Sequence, residues 1–253
     1  ALGRYKSASQ RARVFSEGWI ETNFVCPKCS GLLERTPNNT SAKDFVCEPC
    51  GYGFEVKSKQ GLFGSSVVDG AYQTMLASIR SDVRPHLLLL SYTEDYQVRD
   101  VTAVPRQYLI EQIVVPRKPL GPSCRRAGWQ GCNLNIGMLP PDGRIKFVSN
   151  FERSPRAKTF AAWEQAEFLD RYKSSGRSWL AVTMALIRRL NKTYFTLADL
   201  YQLEDEARKA FPNNEHVKEK LRQQLQHLRD MGWLHFEGRG NYRISNRATC
   251  VSE

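Results

Sequence analysis

The feature that most constrains the fold is a set of four cysteines arranged as two Cys-x-x-Cys pairs. Cys26 and Cys29 form the first pair, Cys47 and Cys50 form the second, and residues 30–46 lie between them. Four thiolates at this spacing can surround one tetrahedral Zn²⁺, and they leave no open position for a catalytic water. The spacing therefore predicts a structural zinc site. Two disulfides, or one redox-active pair, are the alternatives that it leaves open.

The charge of the chain indicates the kind of partner. Lys and Arg number 37 against 26 Asp and Glu, which gives a formal net charge of +11. A polyanion such as nucleic acid is the simplest physical reason for that excess, although a basic protein without a special ligand is the alternative. No apolar run reaches the roughly 18–20 residues of a membrane span, and the polar, basic N-terminal stretch has no signal-peptide core. We therefore expect a cytoplasmic protein, in which the remaining cysteines, Cys124, Cys132 and Cys250, are ordinary thiols.

Apolar periodicity predicts an α/β core with a mixed sheet in the N-terminal part. Ser9–Thr22 has the pattern of a helix, Phe54–Lys57 and His86–Tyr92 that of strands, and a helical repeat runs between those two strands. Residues 105–145 are rich in Pro, Gly and Arg and are expected to be mainly loops. A further helix over Ala157–Tyr172 and a flexible segment at 173–178 place the domain boundary near residue 174, with domains at 1–174 and 175–253.

A catalytic cluster is predicted around the second cysteine pair. Asp44 precedes it, and Glu55-Val56-Lys57 follows on a predicted strand, where residues two apart share a face. Glu55 and Lys57 would then project together, with Val56 turned into the core. Asp44, Glu55 and the Val56 carbonyl could bind Mg²⁺, and Lys57 could orient the water that attacks a phosphodiester. The alternative is a solvated charge pair, because Glu-x-Lys is frequent on exposed strands. Glu17 on the preceding helix could support the metal indirectly.

The C-terminal part has the order of a winged helix: three helices followed by a hairpin. The first helix carries Trp179 to Leu190, the second runs from a cap at Thr196 to Phe211, and the third covers Glu215–Met231. Polar side chains opposite the apolar face of the third helix are suited to the major groove, namely Arg222, Gln223 and Gln226. Arg239 and Arg243 in the hairpin, the wing, are expected to contact phosphates or the minor groove. A protein-interaction module is the alternative.

Several stretches together resemble the DpnI family of restriction endonucleases. They are CPKC…DFVCEPC…FEVKSKQG, then GAYQTM and RRAGWQGCN, and later KEKLRQQLQHLRD with FEGRGNYR. The resemblance covers nearly the whole chain in the same order. It implies a PD-(D/E)xK nuclease fold with an inserted four-cysteine zinc site, a C-terminal winged helix, and cleavage of GATC sites that carry N6-methyladenine. Lys43 stands where the fold often has a proline.

The resemblance also assigns roles to individual residues. It implies that Asp44, Glu55 and Lys57 are catalytic and that Cys26, Cys29, Cys47 and Cys50 bind zinc. Trp129 would contact the methylated base, with Arg125 and Arg126 beside it on the DNA, although a tryptophan that anchors the loop in a core is the alternative. We thus expect a monomeric, Mg²⁺-dependent type II endonuclease. A non-enzymatic zinc-ribbon and winged-helix regulator and a repair nuclease that senses DNA structure are the rival hypotheses.

Overall fold

The computed structural model describes residues 7–37, 43–81 and 84–245. Strands predominate up to residue 153, and helices predominate after it. In chain order they are α1 (Ala8–Asn23), β1 (Glu34–Arg35), β2 (Phe45–Val46), β3 (Gly53–Gln60), β4 (Ser66–Ala71), α2 (Tyr72–Arg80), β5 (His86–Tyr92), β6 (Val98–Val104), β7 (Val114–Pro116), β8 (Gly131–Asn135), β9 (Ile145–Ser149), β10 (Glu152–Arg153), α3 (Arg156–Glu167), α4 (Ser174–Arg189), β11 (Tyr194–Thr196), α5 (Leu197–Tyr201), α6 (Glu204–Ala210), α7 (Val217–Asp230), β12 (Leu234–Gly238) and β13 (Asn241–Ile244).

Contacts group the chain into two compact units. The first consists of residues 1–64, 81–106 and 144–165, and the second of residues 65–80, 107–143 and 166–253. Each unit is built from three separate segments, and the segments of the two units alternate along the sequence. A division into domains at residue 174 therefore stays a prediction. Within the described ranges, no helix is long and apolar enough to cross a membrane.

The first unit contains a seven-stranded mixed sheet, counted over the described residues, in the order β1-β2-β3-β5-β6-β9-β10. β3 and β5 are parallel, and the other neighbouring pairs are antiparallel. Every residue of β5 is buried, as expected of a central strand whose sequence is a continuous apolar run. The predicted mixed α/β core is confirmed.

Aromatic rings fill the core of this unit where β3 meets β5. Phe54 contacts Phe24 and His86 with ring centroids 5.8 and 5.2 Å apart, and His86 lies 4.6 Å from Trp163. Burial, together with the positive charges of Arg106 and Arg84, holds the pKa of His86 well below its usual range. His86 is therefore a neutral core residue, and its Nδ1 accepts a hydrogen bond from the Arg106 amide at 3.1 Å.

The second unit begins with a three-stranded antiparallel sheet in the order β4-β8-β7, against which α2 packs. This sheet corrects the expectation that residues 105–145 are mainly loops. β7 has only three residues and β8 five, so neither offers enough alternating positions for its period to be recognised. β8 becomes stable by pairing with β4, which lies more than 40 residues earlier in the chain, and β7 in turn pairs with β8.

The winged helix lies in the same unit and consists of α4 to α7 with the sheet β11-β13-β12. Thr196 caps α5 as predicted, in a reciprocal capping box with Asp199. The predicted second helix is divided into α5 and α6, which are separated at Gln202 and Leu203. The segment expected to be flexible at 173–178 instead forms the start of α4. Its Ser and Gly residues favour a helix only weakly, so packing of the buried residues that follow, from Ser178 to Met184, stabilises this turn.

A buried ion pair joins the winged helix to residues 107–143 within this unit. Asp142 accepts hydrogen bonds from Arg188 Nε and Nη2 at 3.0 and 2.8 Å, and from Trp233 Nε1 at 3.1 Å. The side chains of Asp142 and Arg188 are only 6 and 12% exposed. One carboxylate therefore satisfies donors from α4 and from the start of the wing.

We expect Asp142→Ala to lower the free energy of unfolding by about 3–5 kcal/mol, because Arg188 would be left as a buried charge without its carboxylate. Urea unfolding followed by circular dichroism measures the change. Asp230→Ala is the matched control, since the ion pair between Asp230 and Arg229 is exposed and contributes little. Equal stability of the two variants would show that the Asp142 pair does not hold the winged helix.

Candidate active site, metal centre and nucleic-acid interface

Glu55 and Lys57 project from the same face of β3. Their side chains form an ion pair with Lys57 Nζ 2.6 Å from Glu55 Oε1, and they are 21 and 26% exposed. The alternation of the strand explains this, since Phe54 next to them is fully buried. Val56 lies on the opposite face of the strand, that of Phe54, and its side chain is half-buried. A charged pair at this exposure remains within reach of a substrate.

Asp44 lies directly beside the middle of β3. Its Oδ2 accepts a hydrogen bond from the Val56 amide at 2.7 Å, and its own amide donates to the Phe54 carbonyl at 2.9 Å. These bonds extend the pairing of β2 with β3 by one residue. The turn that contains Cys47 and Cys50 folds the chain back, so Asp44 lies next to the segment Glu55-Val56-Lys57. The three predicted catalytic residues are thus brought together on β2 and β3, and their catalytic role stays a prediction.

Two charged residues of α1 lie close to this cluster. Glu17 forms ion pairs with Arg13, one helical turn earlier, and with Arg35 at 3.5 Å. The hydrogen bond and the charge of Glu17 raise the pKa of Arg13, and the charge of Asp44 adds a smaller contribution. Arg13 therefore contributes positive charge near Asp44, a role that the sequence analysis missed. Its only sequence signal is the i, i+4 spacing with Glu17. The suggestion that Glu17 supports a metal stays untested.

The four paired cysteines form one cluster. All four Sγ atoms lie within 4.8 Å of one another. The Sγ atoms of Cys26 and Cys50 are 3.5 Å apart, and those of Cys29 and Cys47 are 3.3 Å apart. A disulfide needs about 2.0 Å, whereas four sulfurs around one zinc lie about 3.8 Å apart. The described cysteines are free, so the cluster fits a zinc centre with four thiolate ligands rather than disulfides.

Without metal, the thiols of this cluster would differ in acidity. Burial raises the pKa of Cys47 to about 11 and raises that of Cys26 further, whereas a backbone hydrogen bond from Gly31 lowers the pKa of Cys29. A bound cation would offset the cost of burying several thiolates, which is the chemistry expected of a structural zinc site.

The other cysteines lie elsewhere. Cys124 is exposed and Cys132 is buried, and neither belongs to a metal-binding cluster among the residues that the structure describes. Cys250 lies outside the described residues.

Trp129 lies at the base of a long hairpin that connects β7 with β8. Its ring is half-buried, with the guanidinium groups of Arg126 and Arg117 at 4.5 and 5.7 Å from its centroid. The hairpin extends the ladder, because the Leu120 amide donates to the Trp129 carbonyl. Residues 118–128 are all exposed, including Arg125 and Arg126. Trp129 is therefore held by cations at the surface rather than enclosed in a core.

The helix predicted to read DNA presents its polar side chains as expected. The structure leaves all three predicted residues of α7, Arg222, Gln223 and Gln226, exposed. Leu221 and Leu225 on the other side of the helix are fully buried. The apolar face thus holds α7 to the winged helix and leaves the opposite face open to a partner. Direct contact of these residues with DNA stays a prediction.

The two arginines of the wing differ in their surroundings: one is exposed, and the other forms an ion pair. Arg239 is exposed between Gly238 and Gly240, whose φ values of 121° and 70° provide the left-handed turn. Arg243 is half-buried and pairs with Glu237, with Nε 2.6 Å from Oε1. A phosphate would meet Arg239 directly but would compete with Glu237 for Arg243.

Two residues of the second unit were missed by the sequence analysis. Arg117 stacks on Trp129, and Asp142 joins the winged helix to the segment that carries the hairpin. Arg117 belongs to an irregular Arg/Pro-rich stretch whose partners depend on the hairpin pairing. Asp142 pairs with Arg188 across 46 positions, a distance at which the sequence offers no local signal.

A mixed α/β sheet with an inserted four-cysteine cluster, followed by a winged helix, is the architecture expected of a nuclease core joined to a separate DNA-binding module. The family model described as DpnI, Dam-replacing family, matches residues 2–172, and the model described as the Dam-replacing HTH domain matches residues 175–244. The first match covers more than half of the 253 residues. The chain belongs to the DpnI, or Dam-replacing, family. It is thus a restriction nuclease of a methylation-dependent family, with a DNA-binding helix-turn-helix domain.

Proposed function

We propose that this protein is a monomeric type II restriction endonuclease that cleaves double-stranded DNA at GATC sites carrying N6-methyladenine, by Mg²⁺-dependent hydrolysis of the phosphodiester. The observation that carries the proposal is the hydrogen bond of Asp44 to the Val56 amide. It places a second carboxylate beside the Glu55–Lys57 pair in a chain of the DpnI family.

The donor set of this cluster fits a hard cation. The carboxylates of Asp44 and Glu55 are oxygen ligands of the kind that Mg²⁺ prefers. The carbonyl of Val56 adds a third, because the N–H and C=O of one strand residue point to the same edge and this N–H points to Asp44. A magnesium ion bound there would polarise the phosphate and acidify a water molecule.

Lys57 has a separate task. Its Nζ is held by Glu55 Oε1, which fixes an ammonium group at the edge of the cluster. From there Nζ can donate a hydrogen bond to the attacking water and align it with the phosphorus. It also places a positive charge next to the phosphate oxygens, where negative charge grows as the bond breaks.

Methyl recognition needs more than contact with one methyl group. Burying a methyl group contributes only about 1 kcal/mol, so a useful preference requires a shaped surface that also excludes water. Trp129, with the guanidinium groups of Arg117 and Arg126 close to its ring, offers an aromatic surface for this purpose. Arg125, Arg222, Gln223, Gln226, Arg239 and Arg243 would add phosphate and base contacts.

A plasmid digest tests the proposal. Plasmid DNA with and without N6-methyladenine at its GATC sites is incubated with the protein and Mg²⁺, and the products are separated by electrophoresis. We expect fragments from the methylated plasmid alone. A regulator would leave both plasmids intact, and a nuclease that senses DNA structure would cut branched substrates irrespective of methylation.

A further inference from the structure

The three-stranded sheet of the second unit has an outer face with exposed apolar side chains. Val68 of β4, Asn133 of β8 and Val115 of β7 are aligned in one cross-strand row, which we call the valine face. Val68 is 63% exposed and Val115 is 44% exposed. The next row, Val67, Leu134 and Val114, is buried and forms the inner face. Exposed valines beside a carboxamide are suited to contact with a partner.

Asn133 lies at the centre of the valine face with its hydrogen-bonding capacity unused. Its Oδ1 is removed from solvent, and the carboxamide makes no hydrogen bond to any residue that the structure describes. A buried amide oxygen without a partner destabilises the fold. Rotation of the side chain would turn the carboxamide to the outer face without breaking a hydrogen bond to a described residue, so the group is free to serve a ligand.

The face continues into the hairpin that carries Trp129. Trp129, Gly131 and Asn133 are two residues apart, and the hairpin ladder extends from β8 past Gly131 to Trp129. Arg117 lies over Gly131, where an added Cβ would collide with its guanidinium group. The valine face and the Trp129 site are therefore parts of one surface.

The charge of this surface indicates what kind of partner it is suited to bind. Residues 114–135 include Arg117, Lys118, Arg125 and Arg126 and contain no Asp or Glu. A surface with four cations and no anion along one hairpin favours a polyanion over a protein or a second copy of this basic chain. The part of this surface formed by β7, β8 and the hairpin between them is a two-stranded ribbon, which has dimensions that the major groove of B-DNA admits.

We propose that the valine face lies in the major groove of the substrate DNA, where Asn133 Oδ1 accepts a hydrogen bond from the N4 amino group of a cytosine and Val68 and Val115 contact the methyl groups of neighbouring bases. The proposal rests on the proposed function and adds the residues that read sequence and methylation outside the Trp129 loop. Cytosine presents its N4 amino group as a hydrogen-bond donor in the major groove, and apolar side chains contact thymine methyl groups. N6-methylation adds a further methyl group to the same groove.

A charge series at Val68 in the full-length protein tests the docking. Affinity for a short duplex with one methylated GATC site is measured with Ca²⁺ in place of Mg²⁺, so that binding is observed without cutting. We expect Val68→Asp to weaken binding at least tenfold through repulsion of the phosphates, whereas Val68→Lys should keep the affinity within about threefold. Phe151→Asp is the control, because Phe151 is 49% exposed and its positive φ tolerates Asp. It should bind like the unmodified protein.

Base reading is tested with Asn133→Ala on two methylated duplexes, one with GATC and one with a single base pair of the site exchanged. We expect the affinity ratio between them to fall by about tenfold or more. Two results together would overturn the proposal: Val68→Asp binds the duplex as tightly as the unmodified protein, and Asn133→Ala leaves the affinity ratio of the two duplexes unchanged. Cutting of the methylated plasmid by the unmodified protein would show that the proposed function still holds. Charge-dependent binding without any cutting would instead support the valine face as a DNA surface and overturn the proposed function.

Discussion

Replacing Lys57 by alanine should lower the rate of cleavage of methylated DNA about 10³-fold, within the range that a positioned proton donor or acceptor contributes to catalysis. The reason is the geometry of the Glu55–Lys57 pair, whose 2.6 Å contact holds Nζ beside the predicted metal ligands. Binding of the duplex in Ca²⁺ should change by no more than a few-fold, because the DNA-reading residues proposed above lie elsewhere. Single-turnover cleavage and equilibrium binding separate these two effects.

Lys59→Ala is the matched control for this experiment. Lys59 is also on β3 and two residues further along, so it has the same side-chain direction, but it is exposed and has no place in the Asp44–Glu55–Lys57 cluster. We expect it to cut at nearly the rate of the unmodified protein. Cutting at that rate by Lys57→Ala would contradict the assignment of the active site. A loss of DNA binding in Lys57→Ala would show that the lysine acts in binding rather than in the chemical step.

Loss of the metal from the four-cysteine cluster is the second change with a large expected effect. Structural zinc sites of this type contribute apparent binding free energies of about 10–16 kcal/mol at neutral pH. The cluster holds the turn that leads from Asp44 to β3, so its collapse should displace Asp44 from the Val56 amide. Cys47→Ser is therefore expected to lose zinc, to unfold at a lower temperature and to stop cutting.

Elemental analysis and thermal unfolding measure this outcome, with one zinc per chain expected in the unmodified protein. Cys124→Ser is the control, because Cys124 is an exposed thiol outside the cluster and its replacement should change neither zinc content nor Tm. Full zinc content in Cys47→Ser would contradict the four-ligand site. Cleavage that survives complete zinc removal would show that the cluster does not position Asp44.

The parts of the fold that the sequence predicted are those with local signals. The Cys-x-x-Cys turns, the alternation around Glu55 and Lys57 and the amphipathic pattern of α7 all depend on residues within a few positions of one another. The structure brings the four thiols together and leaves Arg222 and Gln223 exposed, as these patterns indicated.

The parts that were missed depend on contacts between distant segments. β7 and β8 are too short to show a period, and they owe their structure to the pairing of β8 with β4 and of β7 with β8. The break between α5 and α6 was also missed, since no proline or glycine marks Gln202 or Leu203. In the sequence Asp142 is an ordinary turn residue, and only the folded structure shows that it binds Arg188 and Trp233. Such residues are recognised by their burial and partners, which the sequence does not contain.

The most direct test of the central claim is the rate of cleavage of three otherwise identical duplexes with one GATC site, unmodified, N6-methylated on one strand, or methylated on both. The protein is in excess over DNA and Mg²⁺ is added last, so each rate reports a single turnover. Methylation-dependent nuclease activity predicts rapid cutting of the fully methylated duplex at the GATC site and no detectable cutting of the unmodified duplex. Equal rates on all three duplexes, or no cutting of any, would contradict it.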